Sequence, residues 1–351
     1  MVKHYDHIGN YFQHPHLKAA FTFQDLYLGT SPFEAPATYS LLQYTEFADG
    51  VWFPIIGLYR LVESLVSIAR ANGVRFKYNT PVKRIEVSKD HATGVVMQDG
   101  SRLHAGVIVA NADLPYVYNQ LLPDNGYTER LERMKYTCSA LMFYWAVDKV
   151  YLQLKHHNIF MAGDYRSSFD SIFRDYSLPD EPSFYVHAPA RTDPSAGPEG
   201  QDTLLVLMPV GRLEDSANQD WKALRACSRS AVIRRLSEIG VRDLKEHIKF
   251  EISFTPNTWQ SMFNVAKGAP FGSLSHNLSQ VGFLRPKNRH PHYRNLYFAG
   301  GSTHPGSGLP LVLMSARLTT ERIFKEAGEL DRSSMPKFYP VRAMFEEVDG
   351  N

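Results

Sequence analysis

Between Asn295 and Lys325 a short apolar run, a turn with glycines at 300, 301, 306 and 308, and a helical pattern follow one another without a break. Asn295-Leu296-Tyr297-Phe298-Ala299 reads as a strand, and Pro310 stands where the next helix begins. Proline costs little there, because its missing N–H has no intrahelical partner at that position. A strand that passes to a helix through glycines makes main-chain amides and the positive end of a helix dipole converge on one spot. Glycine also lets the backbone approach a flat or phosphorylated ligand with no Cβ in between. The same pattern serves an ordinary strand-to-helix connection, and His304 within it reads equally as a structural histidine bonded to its own turn.

The order of elements points to a mixed α/β (α+β) chain. Leu58, Leu61, Val62, Leu65, Val66 and Ala69 recur at helical spacing between Gly57 and Gly73. Short strands are predicted at Val74–Tyr78, Pro81–Val87, Gly94–Met97 and around Leu103, with a hairpin turn at Asp99-Gly100. Val107–Ala110 is a continuous apolar run ending at Asn111-Ala112-Asp113, the pattern of a parallel strand buried on both faces. The middle of the chain reads as an antiparallel sheet with covering helices. Its strands are Thr137–Val147, Ser183–Ala188, Thr203–Val210 and Lys249–Phe254, its helices Asp124–Met134 and Ala217–Ile239, and 188–198 is a loop. Leu311–Lys325 is helical, and Arg332–Asn351 has no period and reads as a tail.

Composition narrows the function classes. With 38 Lys+Arg against 36 Asp+Glu the net charge is +2, which argues against nucleic acid as a partner. Aromatics are 13% of the chain, enough for a large apolar pocket or a lipid-facing surface and equally for a strand-rich core. Cys138 and Cys227 have neither metal-type spacing nor a disulfide framework, so chemistry on the cytosolic side is expected. The residues after Met1 read neither as a signal nor as a transit peptide, and no run approaches a membrane-spanning length.

The segment Asn295 to Leu309, with Ser315 six residues on, resembles the C-terminal signature of bacterial- and fungal-type phytoene desaturases, FAD-dependent enzymes related to the amine-oxidase superfamily. The resemblance extends to Gly50-Val51-Trp52-Phe53-Pro54 with Gly57-Leu58, to Val109–Asp113, to Ser183–Pro194 and to the region from Ala20-Phe21 to Pro32-Phe33. It implies stepwise dehydrogenation of phytoene toward lycopene or a more desaturated carotene, with FAD taking the hydride. It places Gly300, Gly301 and Ser302 near the ribityl and phosphate portion. The amides of Gly308 and Leu309, at the helix start with Pro310, would face the pyrimidine edge. Thr303, His304, Pro305 and Gly306 form the bend laid against the isoalloxazine, and Val82 meets the adenine side through its backbone. A hydrophobic polyene substrate implies an apolar tunnel and peripheral contact with a membrane surface on the cytoplasmic side, and leaves a homo-oligomer open. Leu141–Trp145 and Ser183–His187 are candidate tunnel walls and equally plain sheet core. No catalytic acid, base or metal ligand is assigned.

Residues 1–56 then read as a connecting segment of the substrate domain, 57–115 and 291–328 as parts of a Rossmann-like FAD-binding domain, 116–290 as the substrate-binding domain, and 329–351 as a tail. The sequence contains no strand followed by Gly-x-Gly-x-x-Gly, the unit that grips the pyrophosphate in this family. The strand at 107–110 is therefore expected to leave edges and apolar faces uncovered, and whether the chain acts by itself stays open. A polyene-acting flavoprotein resembling retinol saturase or carotenoid isomerase, or a lipid-binding remnant without catalysis, fits the same residues.

Overall fold

The computed structural model describes residues 2–123, 126–214 and 219–327. Three sheets organise them. The first is antiparallel, from β1 (Val82–Ser88), β2 (His91–Met97) and β3 (Arg102–His104), with Gly100 in the left-handed conformation that the hairpin turn needs. The second pairs β4 (Ile108–Ala110) with β10 (Leu296–Phe298) in parallel, so the two apolar runs read from sequence lie side by side. The third is a five-stranded antiparallel sheet in the order β6-β7-β8-β5-β9. Its strands are β5 (Ser139–Val147), β6 (His157–Phe160), β7 (Phe184–His187), β8 (Asp202–Val210) and β9 (Ile248–Phe254).

Period-two alternation gives the large sheet two different faces. Leu141, Phe143 and Trp145 of β5 and Leu204, Val206 and Met208 of β8 are fully buried on one face. They pack with Trp221, Val232 and Leu236 of the helix Trp221–Glu238. That helix has Asp220 as its N-cap, accepting from the amides of Lys222 and Ala223. The other face carries Tyr185 opposite Leu207 and looks into a cavity described below.

A second core lies under the smaller sheets. Ile85, Ala92, Ile108, Leu114, Val117, Leu296 and Phe298 meet there, which joins β1, β2, β4 and β10 into one body. The helix Leu309–Ala327 follows the glycine turn after β10, and Pro310 occupies its first turn.

Several sequence expectations need correction. Val74–Tyr78 forms no strand and pairs with none among the described residues, and its apolar side chains are exposed. The run at 107–110 is not buried on both faces: β4 has β10 as its one neighbour among the described residues, and Val109 stays 46% exposed. The helix Tyr59–Ala71 forms as its periodicity predicts, yet it has no buried residue; Val62, Leu65 and Ile68 face outward. β6 was missed, as were the helices Ser40–Asp49, Tyr165–Phe173 and Pro256–Phe263. The predicted helices at Asp124–Met134 and Ala217–Ile239 are found over Tyr127–Glu132 and Trp221–Glu238, and their first residues and the tail at 329–351 lie outside the described residues. Among the described residues no helix is long and apolar enough to cross a membrane.

Candidate functional site

The glycine turn and the Asn111-Ala112-Asp113 motif, far apart in sequence, are clasped together because their strands pair. Asn111 Nδ2 donates to the Ala299 carbonyl at 3.0 Å, and the Leu114 amide donates to Ser302 Oγ at 2.8 Å. Asp113 accepts from the Ala266 amide at 2.8 Å and from Ser273 Oγ at 2.6 Å. Burial pushes its carboxyl pKa up against the pull of these bonds.

Behind the turn lies a buried polar scaffold. Arg285 donates to the carbonyls of Thr303 (3.0 Å), Leu274 (3.0 Å), Ser275 (3.1 Å) and Gly301 (2.6 Å). Its guanidinium is pushed down to about 10 by burial. Ser315 Oγ accepts from the Gly300 amide at 3.2 Å and from Asn288 Nδ2 at 2.9 Å. The Ser307 amide donates to His276 Nε2 at 3.1 Å, and burial together with the Arg285 charge lowers the His276 pKa to about 3. The imidazole is therefore neutral, with its proton on Nδ1.

These anchors sort the sequence-predicted residues. Gly301, Ser302 and Gly308 line a cavity of about 440 Å³ whose walls include Tyr27, Asp113, Phe271 and Val312. Gly300, at φ +120°, is held by Ser315. Thr303 is buried, and its hydroxyl donates to the Gly300 carbonyl at 3.1 Å. The His304 amide donates to Pro286, and its Nδ1 is 2.8 Å from the Gly282 carbonyl rather than bonded within its own turn. The His304–Pro305 peptide is cis. Gly306 lies so close to His276 that a Cβ there would come within 2.5 Å of Nε2. The centre of the bend is thus occupied by the protein, and its two ends face the cavity. Leu309 and Pro310 are exposed in the first helical turn. Val82 opens β1 opposite Met97 and is not on the cavity wall.

A second cavity, about 490 Å³, lies on the open face of the large sheet. Its lining is largely apolar, with Phe23, Leu26, Val51, Ile159, Phe184 and Leu207 among the walls. Of the two candidate wall segments, Ser183–Tyr185 contributes here, whereas Leu141, Phe143 and Trp145 are sheet core. Tyr27 and Phe271 belong to the walls of both cavities. Burial, aided by Glu46, raises the Tyr27 phenol well above its usual range, and burial raises Tyr185 to about 12, so both stay protonated. Tyr27, Phe271, His276 and Arg285 were not singled out from sequence. The turn signal Pro270-Phe271-Gly272 was the one hint available, since a Cβ at Gly272 would strike Ser307.

A parallel strand pair delivers a glycine turn and a helix start to one cavity, and an antiparallel sheet offers an apolar cavity beside it, a two-part architecture able to hold a flat ligand next to an apolar one. Residues 5–324 match the family described as flavin containing amine oxidoreductase. The chain belongs to that family. It is 44% identical over 339 residues to a phytoene desaturase of Fusarium fujikuroi, covering 91% of this chain and 59% of that protein. It is 43% identical over 335 residues to a zeta-carotene-forming phytoene desaturase of Myxococcus xanthus, covering 95% and 64%. The chain therefore spans about three fifths of the length of these relatives. A crystal structure of an oxidoreductase from Methanosarcina mazei shares the fold, with TM-score 0.64 at 15% identity over 92% of this chain and 68% of that one.

The site fits the redox portion of a flavin. A Cβ built at Gly308 would meet nothing within 4 Å, so the main chain there presents an open face. The first-turn amides of the following helix lack intrahelical acceptors and lie beside that face. Aromatic and aliphatic walls from Tyr27, Phe263, Phe271 and Val312 suit a flat ring system.

Proposed function

We propose that this chain is the substrate-binding and C-terminal cofactor-binding portion of a carotenoid desaturase that dehydrogenates phytoene stepwise toward lycopene or a more desaturated carotene. The observation that carries the reading is the pair Tyr27 and Phe271, which wall both the glycine-turn cavity and the apolar cavity. A long hydrocarbon in the apolar cavity then reaches a redox group on the glycine turn across two aromatic side chains. The names of the relatives supply the reaction class and favour desaturation over the other polyene chemistries.

Bound FAD supplies the two-electron acceptor that no side chain provides. The chain's own residues position and insulate. Gly301 and Ser302 approach the ribityl and phosphate portion, and the Gly308 and Leu309 amides stabilise negative charge at the pyrimidine edge. Val82 serves the adenine side. Thr303, His304, Pro305 and Gly306 fix the bend from behind, and the phenols of Tyr27 and Tyr185, held protonated, add no charge to a site built for a hydrocarbon. Residues 57–115 and 291–328 are assigned to the cofactor side and 116–290 chiefly to the substrate side, with Phe271, His276 and Arg285 of the latter span reaching back to hold or wall the glycine turn.

Peripheral membrane contact is part of the proposal. Leu41, Tyr44 and Phe47 form an exposed stripe at three-residue spacing on the helix Ser40–Asp49, and Val51, Trp52, Ile55 and Ile56 continue it. Val51 also lines the apolar cavity, so the stripe leads to its mouth.

The test is to supply the purified chain with FAD and phytoene in liposomes and to follow product absorbance and mass. Loss of two hydrogens per new double bond supports the reading. FAD binding with unchanged phytoene, even after supplementation with the remaining length of a full-size relative, overturns it.

A further inference from the structure

We infer that His156, His157 and His187 form a binding site for one divalent transition-metal ion of the zinc class, separate from the redox cavity. His156 immediately precedes β6, His157 opens it and His187 ends β7, and the antiparallel register sets His157 directly opposite His187. One ring nitrogen from each of the three lies within 4.8 Å of the other two. Nε2 of His156 and Nε2 of His187 are 2.8 Å apart.

The surroundings favour ligation. His157 Nδ1 meets the Tyr185 hydroxyl at 2.6 Å, and His156 Nδ1 contacts Thr192 Oγ1. Each contact engages the outer nitrogen and leaves Nε2 available, the arrangement in which hydroxyl or carbonyl partners orient metal-binding imidazoles. The lone pairs of two Nε2 atoms 2.8 Å apart and of a third ring nitrogen within 4.8 Å of them converge on one small volume. A cation accepts all three lone pairs at once.

The donor set selects the ion. Three imidazoles with no carboxylate or thiolate among them suit zinc, copper or nickel rather than magnesium or calcium. Phe53 shields one side, with its ring centroid 6.0 Å from that of His156 and 5.5 Å from that of His187. His157 is exposed, so water reaches the site and can fill the fourth position of a tetrahedral ion. Because β6 is an edge strand and both His157 and Tyr185 line the apolar cavity, occupancy would fasten the rim of that cavity.

The experiment is titration of the chelator-stripped full chain with cobalt(II) alone, followed by zinc. One equivalent of cobalt with visible d–d bands, displaced by zinc, is expected. In His157→Ala, whose exposed side chain is dispensable for packing, affinity should fall more than about a hundredfold, beyond the roughly 10–100-fold that losing an orienting partner costs. His187→Ala should do the same, while His14→Ala, in an exposed histidine pair elsewhere, should bind as the parent does. A zinc-induced rise in melting temperature should vanish in His157→Ala. Absence of saturable cobalt bands, or equal affinity in His157→Ala and the parent, overturns the inference whatever becomes of the redox reading.

Discussion

Arg285 Nη2 donates to the carbonyl oxygen of Gly301 at 2.6 Å, which anchors the glycine turn on a buried guanidinium. Three more carbonyls, of Leu274, Ser275 and Thr303, converge on the same guanidinium. Arg285→Met should therefore leave buried acceptors without donors at roughly 1–3 kcal/mol each. Urea unfolding should show a loss of about 3 kcal/mol or more, and the flavin affinity of the folded fraction should fall with it. Arg285→Lys keeps the charge but not the planar fork, so it should recover only part of the loss. An unchanged midpoint in Arg285→Met would show that the scaffold is not what shapes the turn.

His276 predicts a pH dependence of known sign. Its folded pKa, about 3, lies below the ordinary histidine value, so the unfolded chain binds the extra proton first. The stability it contributes is complete above about pH 6.5 and is lost as pH falls toward 3, with a slope of at most roughly 1.4 kcal/mol per pH unit. In His276→Gln, melting temperature should fall less steeply across that window than in the parent. Parallel acid limbs would contradict the assignment.

Phe271→Ala removes a wall common to both cavities. Flavin affinity should fall modestly, because the ring loses one wall while the anchors of the turn are untouched, and the distribution of desaturation products should shift as the polyene slides. Product chromatography checks this; an unchanged distribution would separate the apolar cavity from the reaction.

Phe47, 78% exposed, and Trp52, 72% exposed, lie on the outward apolar stripe. Replacing both with Ser should reduce co-flotation with liposomes with little effect on melting temperature, since neither side chain supports the core. Equal flotation would place the membrane contact elsewhere.

Elements fixed by local pattern were legible in the sequence. The apolar runs at 296–298 and 108–110 became a parallel pair, Pro310 lies in the first turn of a helix, and the apolar runs 137–147 and 203–210 became β5 and β8. What escaped depends on neighbours rather than on pattern. Val74–Tyr78 has strand composition and no partner to pair with among the described residues, whereas β6 is four residues long and exists because β7 lies beside it. The glycine turn was legible, but its scaffold was not: Arg285, Asn288 and His276 have no periodic or motif signature and are defined only by the carbonyls and amides that the fold brings to them. Tyr27 and Phe271 become a shared wall only once the chain has closed on itself.

The glycine-turn assignment comes down to Gly308 and its control Gly100, both at positive φ with space for a Cβ, the first on the cavity and the second in the remote hairpin. FAD titration of the parent, Gly308→Ala and Gly100→Ala, read by flavin fluorescence, separates backbone strain from contact with the ligand. Gly308→Ala should weaken FAD binding by roughly tenfold, about 1.4 kcal/mol, with Gly100→Ala unchanged. Equal affinities in the two variants would mean that the flavin does not lie against this turn.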